Sequence, residues 1–530
     1  MNADRLQTSP ENSRRVILLL AVMAAVQLVC RIAFVESTTG ETPMLSANDR
    51  SRWCTVRALV EHETYVIDSI IRERDPETDR RLWHTIDRVR HRGWDSREHD
   101  FSSKPPLLPT LVAAEYWVVR QVTGWNLHDH SFVLMRGLLL VNNGLLLIVF
   151  WWVIAQWLRL WCESTSSQSI VFLIATFGTF LTTFGVTFNN HLPAAVCCAL
   201  TFHALVRISQ GDQSPKYFVL AGFASALTAA NELPALSLLA AATVYLFWVN
   251  WKGFLIWFAP AVAMVGGLFF AANYAAHGSL RPAYAHRGEG KKLAELVWSA
   301  DTEIQVGPMT SQLGSELSRH GIALGDETVV QTTGKPDRWA IWDPVTATRL
   351  ALVKTDKQLL IHEWDDWYDY ANSYWKPGNR KGLDLGEPSR MKYAFHVLIG
   401  HHGIFSLTPF WLLSGIGILI WIRNGTQTQK SFALLTMLLS LVCIIFFLMR
   451  PQGDRNYGGA TAGFRWVFWM IPLWLGTAIP AVEHFSKSKT GRVLICLVVT
   501  VSIFSAAYGA RQPWSHPWLY EFQVSRFLGW

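Results

Sequence analysis

Hydrophobic residues in this chain gather into long runs instead of alternating or striping one face of a helix. The first run, Val16 to Phe34, is interrupted only by Gln27 and by Arg31 near its end. Runs of this kind approach the ~20 residues that a helix needs to cross a ~30 Å hydrocarbon core. They predict spans at 16–35, 133–157, 169–188, 192–207, 217–230, 233–250, 254–274, 404–422, 431–449, 464–482 and 491–509. The expected fold class is an all-α polytopic membrane protein with about 11 transmembrane helices. Two polar stretches break the pattern. Residues 36–131 place Trp53, Val56, Leu59 and Val60 at helical spacing, and later Leu107 to Val122 is apolar but holds Glu115 and Arg120 behind two prolines. These read as helices lying along the membrane interface. Residues 277–403 are long enough to form a larger loop domain.

Composition agrees. Half of the 530 residues are hydrophobic and 16% are charged, against about a quarter charged in a soluble domain. The 26 tryptophans suit the headgroup level, where indole has one wet edge. The net charge of +7 is dispersed rather than gathered in a patch with aromatic neighbours, so nucleic acid is not an expected partner. The cations instead mark sidedness. Arg14, Arg15, Arg159, Arg207, Lys216, Lys252, Arg423, Lys430, Lys487, Lys489 and Arg492 all fall in connections on one side, while the short turns at Asn190 and Glu232 carry none. That bias predicts a cytoplasmic N-terminus, a C-terminus outside, and both long polar stretches outside, in a multi-pass protein of the inner (plasma) membrane. The first run lacks a small-x-small cleavage site and reads as an uncleaved helix. Of the seven cysteines only Cys54 lies clearly outside an apolar run, too few for an internal disulfide framework. The domain reading is 1–275, an N-terminal membrane module whose first outer loop (36–131) carries the chemistry; 276–403, an outer loop domain; 404–509, C-terminal membrane helices; and 510–530, an outer tail.

Four segments carry candidate chemistry. Asp49 heads an amphipathic helical pattern about a dozen positions beyond the first span; it, or Asn48, equally suits a helix cap. Lys104 precedes Pro105 and Pro106, which fix an extended entry and a first helical turn; it suits a bound anion or a lysine snorkelling beside lipid headgroups. In Asn456-Tyr457-Gly458-Gly459…Gly463-Phe464-Arg465, glycines allow close backbone approach and the arginine offers a fork for a planar oxyanion, or an interfacial anchor with Trp466. Asn190 and His191 are polar residues in a short turn between spans, costly there unless used, or a cap for the next helix. No metal-ligand spacing, P-loop or dinucleotide fingerprint is present.

The order of these segments resembles the membrane glycosyltransferases of the GT-C superfamily, nearest to protein mannosyltransferases and lipid-A aminoarabinose transferases. The stretch Asp49-Arg50-Ser51-Arg52-Trp53-Cys54-Thr55-Val56-Arg57 stands where that family carries an acid-rich Asp-Glu-x-Arg-Tyr pattern ending in arginine. A Lys-Pro-Pro-Leu segment follows, and the Gly-Gly…Gly-x-Arg segment lies near the last spans. The resemblance implies transfer of a sugar from a polyprenyl-phosphate donor to a glycan, lipid or protein acceptor at the outer face, among membrane lipids. It implies Asp49 as the catalytic acid at the reaction centre, acting as base, and a substrate-binding set of Lys104, Arg465, Arg57, Asn190, His191 and Tyr457, with Lys104 and Arg465 on the lipid phosphate. Three departures bear on a cofactor. Arg50 replaces a second acid, Ser103 stands where the aminoarabinose transferases have a metal-binding glutamate, and Asn190-His191 occupy a turn where many members carry an acid. A divalent metal is the one cofactor left open. The competing readings are a transporter or flippase of lipid-linked sugar and a non-catalytic membrane assembly protein.

Overall fold

The computed structural model describes residues 10–297, 303–356, 358–376 and 378–527. Every expected apolar run is helical. Among the described residues eight helices are long and apolar enough to cross a membrane: Glu11–Ala33, Ser131–Trp161, Thr165–Val186, His191–Ser209, Trp251–His277, Gln427–Leu448, Arg465–Ser486 and Lys489–Gly509. The other three expected spans are shorter helices, Pro215–Asn231, Leu233–Val249 and Trp411–Asn424. Fourteen residues, as in Trp411–Asn424, rise only about 21 Å. Breakers shorten them: Pro215 opens one, and the Glu232-Leu233-Pro234 turn separates it from the next. The chain is a multi-pass membrane protein.

Its segments form two compact units. One comprises Met1–Trp53, Leu107–Phe269 and Gly382–Trp530; the other comprises Cys54–Pro106 and Phe270–Lys381. In the first unit burial sorts the helices. Glu11–Ala33 keeps only 22% of its apolar window buried, and Leu18 and Val26 are exposed on it. Arg465–Ser486 and His191–Ser209 are 89% and 83% buried, so the two helices that begin at candidate residues are the central ones. Small residues let helices close up. A Cβ on Gly417 would lie 1.8 Å from the Thr477 carbonyl oxygen, and Ser414 and Thr477 share a hydroxyl hydrogen bond of 2.6 Å across the same seam. Such seams are how packing is won where lipid and side chains are equally apolar.

The second unit corrects the all-α expectation. Strands β1 (Arg88–Arg92) and β2 (Glu98–Ser102) form a hairpin. A six-stranded antiparallel sheet contains β3 (Arg287–Val297), β4 (Gly307–Pro308), β5 (Val329–Thr332), β6 (Arg338–Asp343), β7 (Thr348–Lys354) and β8 (Gln358–Asp366), in the order β3-β8-β7-β6-β5-β4. Alternation decides the face: Leu350 and Leu352, Leu359 and Ile361, and Ile341 turn to one core with Leu296 and Val330. The helix Ser311–Arg319, capped by the Thr310 side chain on Leu313 N–H, adds Leu313 and Leu317 at i and i+4. The expected helices of the first polar stretch are present as Ala47–Glu61 and Leu107–Thr123; the hairpin between them was not expected.

Candidate functional site

The site grows from the start of the helix Ala47–Glu61. Ser46 Oγ accepts from the N–H groups of Asn48 (3.1 Å) and Asp49 (3.2 Å), while the Asp49 carboxylate accepts from Ser46 N–H at 2.8 Å. This reciprocal capping box makes Ser46 the cap, in place of the expected Asp49 or Asn48. Asp49 is 1% exposed. Its Oδ1 also accepts from Ser46 Oγ (3.0 Å) and Arg50 N–H (2.9 Å), and Oδ2 accepts from Leu45 N–H (2.9 Å) and Thr187 Oγ1 (3.0 Å). Of these five donors, the two hydroxyls can rotate away; the three backbone N–H groups cannot.

One turn on, Arg52 is buried and donates to the Asn48 carbonyl (3.1 Å) and side chain, and to Asn190 Oδ1 at 2.5 Å. Asn190 passes the contact on, donating to Glu232 Oε1 and to the Asn231 carbonyl, each at 2.8 Å. His191 Nδ1 meets the same Glu232 oxygen, and its Nε2 lies 2.6 Å from Arg465 Nη1. A carboxylate on Nδ1 requires a proton there, which leaves Nε2 to accept from the guanidinium; the neighbours therefore choose the tautomer. Arg465 Nε donates to the Gly458 carbonyl at 3.0 Å. Its guanidinium stands 5.0 Å from the ring centre of Trp514, whose indole donates to Thr187 Oγ1 at 3.0 Å. The circuit closes through Asn48 and Ser46: Asp49, Thr187, Trp514, Arg465, His191, Glu232, Asn190, Arg52, Asn48 and Ser46 form one ring of contacts. It holds two guanidiniums and two carboxylates, which buried charge requires if it is not to be prohibitively costly.

The glycine motif has a clear local purpose. Tyr457, Gly458 and Gly459 all have positive φ (58°, 93° and 81°), a turn that side chains resist. A Cβ on Gly458 would fall 2.9 Å from Arg465 Nε. The bare turn brings its carbonyl against the arginine.

Of the sequence candidates, Asp49, Asn190, His191 and Arg465 are thus brought together. Tyr457 is buried outside the ring, stacked on His402 (4.8 Å) and beside Tyr393 (5.2 Å); its neighbour Gly458 makes the contact. Arg57 and Lys104 belong to the second unit. There Arg57 pairs with Glu61 (2.9 Å) and Glu73 (2.8 Å) and covers Trp83, and Lys104 pairs with Asp87 at 2.9 Å. Sequence reading missed Arg52, Thr187, Glu232 and Trp514. Arg52 stood at the arginine of the family-like stretch, and Glu232 was an acid in a short turn between two apolar runs; Thr187 and Trp514 left no signal.

A divalent metal does not fit this ring. The Asp49 oxygens face N–H and O–H donors, and the bonded Glu232 oxygen faces His191 and Asn190; a cation needs oxygens that face it. Among the described residues no group of three or more His, Cys, Asp or Glu is arranged to hold a metal ion.

Within the first unit a cavity of about 910 Å³ runs between the helices His191–Ser209, Leu236–Val249 and Gln427–Leu448. Phe202, Val244, Trp248, Phe432 and Leu438 make it apolar, and Ser237 lines it five positions after Glu232.

No protein-family model and no curated protein matches the chain. Among solved structures it is similar to the S. cerevisiae protein O-mannosyltransferase Pmt1-Pmt2 complex bound to the sugar donor, at 11% identity and TM-score 0.44, covering 97% of this chain and 92% of that one. It is also similar to the Archaeoglobus fulgidus oligosaccharyltransferase in complex with Zn and sulfate, at 11% identity and TM-score 0.43, covering 94% of this chain and 53% of that one. At this level of overlap neither transfers a residue role or a substrate to this chain.

Proposed function

We propose that this protein transfers a sugar from a polyprenyl-phosphate donor to a hydroxyl acceptor at the outer face of the membrane. The observation that carries the reading is the buried ring joining Asp49 to Arg465. In it a carboxylate and a guanidinium, the two groups that such a transfer needs, are held on fixed partners within the transmembrane unit.

Arg465 binds the donor phosphate. His191 and Gly458 fix its fork, and a preorganised cation stabilises the charge that develops on a leaving phosphate. The isoprenoid tail lies in the apolar cavity lined by Phe202, Ser237 and Val244, where hydrocarbon replaces water. Asp49 takes the proton of the attacking hydroxyl as general base. Thr187 Oγ1, at 3.0 Å from Asp49 Oδ2, marks where a hydroxyl can reach that oxygen: an acceptor hydroxyl needs only to displace a side-chain rotor. The acceptor oxygen then bonds to the anomeric carbon, the carbon–oxygen bond to the phosphate breaks, and the lipid phosphate leaves with the electron pair.

The test uses purified protein in lipid nanodiscs with radiolabelled polyprenyl-phosphate sugars and mixed acceptors. Asp49→Asn retains an acceptor oxygen for the Ser46 cap but loses the base. Transfer should fall at least a hundredfold with donor binding little changed; the new amide nitrogen must face a backbone N–H, so the melting temperature falls as well, and the assay is run below it. Full activity in this variant removes Asp49 from the chemistry and leaves it a cap partner.

A further inference from the structure

The second unit holds a constellation that sugar transfer does not use. Just past the apolar helix Trp251–His277, Ser279 Oγ lies 3.2 Å from His286 Nε2, and His286 Nδ1 lies 2.5 Å from Asp365 Oδ1. Serine oxygen to the far imidazole nitrogen and carboxylate to the near one is the arrangement of an activated serine nucleophile, recognised by geometry whatever the fold or chain order. All three residues belong to the same compact unit.

Each member is held. The His286 ring stacks on Trp367 with centres 3.4 Å apart and planes 4° from parallel, which fixes its orientation. Asp365 accepts from Arg281 Nη2 at 2.9 Å through its other oxygen. Since Nδ1 already faces a carboxylate it carries the proton, and the approach of Arg281 Nη2 to it at 3.3 Å is a contact rather than a bond. Nε2 is then the basic nitrogen, and it is the one facing serine. Burial pushes the His286 imidazole below its ordinary value, against the pull of Asp365, so the ring is neutral at pH 7 and able to accept a proton. Asp365 comes from the last residues of β8, whereas Ser279 and His286 flank a short turn carrying Pro282.

We infer that Ser279, His286 and Asp365 form a second active site, a serine esterase acting on carboxylic esters of amphipathic molecules at the membrane surface. The substrate class follows from position. Ser279 is partly exposed two residues beyond a span. Exposed apolar side chains surround that end: Leu280 (57%), Tyr274 and Trp94, the last tied to the Ala275 carbonyl at 3.0 Å and set edge-on to Tyr274. Aromatic groups of this kind sit at the headgroup level, where the ester bonds of acyl lipids also lie. Ser279 Oγ attacks the ester carbonyl while its proton passes to His286 Nε2. The Arg281 N–H donates to Ser279 Oγ at 3.1 Å and holds that oxygen toward His286. Collapse breaks the ester carbon–oxygen bond, the alcohol leaves with the proton from His286, and water, deprotonated by the same nitrogen, hydrolyses the acyl-serine.

The experiment treats the full-length protein in detergent with an alkyl fluorophosphonate and reads adducts by peptide mass spectrometry. The expected result is one phosphonyl group on Ser279, absent in Ser279→Ala and formed at least a hundredfold more slowly in Asp365→Asn, which keeps the shape but supplies the wrong tautomer. Melting temperatures establish that both variants are folded. Hydrolysis of a micellar p-nitrophenyl ester should fall in parallel. No adduct on Ser279 in folded wild-type protein, or equal rates in wild type and Asp365→Asn, would mean that the three residues only tie a loop to the sheet, and would overturn the assignment.

Discussion

Arg465 and His191 are 274 positions apart in sequence and bonded at 2.6 Å, so the ring depends on single atoms. Arg465→Lys keeps the charge but cannot reach both Gly458 and His191 with the same geometry. Donor binding should weaken by roughly 1.5–3 kcal/mol, the worth of a lost charge-assisted hydrogen bond, as read by titration of a polyprenyl phosphate. Thr187→Val keeps the shape while removing the hydroxyl that joins Asp49 to Trp514. If that hydroxyl merely stands in for the acceptor, acceptor KM should fall or hold while melting temperature drops; a lost kcat with unchanged stability would instead make Thr187 part of the chemistry. At this scale sequence reading went half way. Asn190 and His191 stood out as polar groups between apolar runs, Arg465 as a cation at the mouth of one, and Asp49 as the head of an amphipathic helical pattern. Thr187 and Trp514 were not, because a threonine near a span and one tryptophan among 26 look like their neighbours until the fold places them.

Helices and strands show the same division. All eleven apolar runs are helices, since a long apolar run has few other ways to satisfy its backbone in lipid. The strands escaped notice. In β7, Thr-Arg-Leu-Ala-Leu-Val-Lys, two inward leucines lie inside a charged stretch, and a pattern that short is invisible against twenty-residue runs. Helix pairing was also illegible, because a glycine is equally apolar in a seam or facing lipid. Gly417→Ala should separate Trp411–Asn424 from Ile471–Ser486, since the added carbon meets the Thr477 oxygen at 1.8 Å. Overpacking of this kind costs about 1–3 kcal/mol, seen as a lower melting temperature in nanodiscs. Between helices Arg390–Leu398 and Ile404–Leu407, burial pushes His401 down to about 3 and His402 well below its ordinary value, with further lowering of His401 by His396 and His516. The unfolded chain binds protons as pH falls past about 6.5 and the folded one does not, so stability declines on acidification. Melting temperature should fall from pH 7 to pH 5, and less steeply in His402→Asn.

For the whole molecule, the cation bias predicts sidedness independently of any residue in the ring. Single cysteines at Ser214 and Ser488 should resist impermeant maleimide in intact cells, and one at Ser315 should react. Reversed labelling would put sugar transfer on the wrong face for the proposed donor.

The two compact units are not consecutive stretches of chain: each is assembled from pieces that the other interrupts. Ribosomal synthesis delivers residues 54–106 early, yet their partners in the same unit, 270–381, emerge only after all of 107–269. Until then the hairpin β1–β2 and its charged neighbours wait without the sheet that completes their unit, while several apolar helices are threaded into the bilayer. Biogenesis of this protein therefore has a built-in delay, and neither unit can be excised as one contiguous fragment for expression. Pulse-chase proteolysis should find the 54–106 segment cleavable in nascent chains stalled before residue 270 and resistant in chains released beyond residue 381.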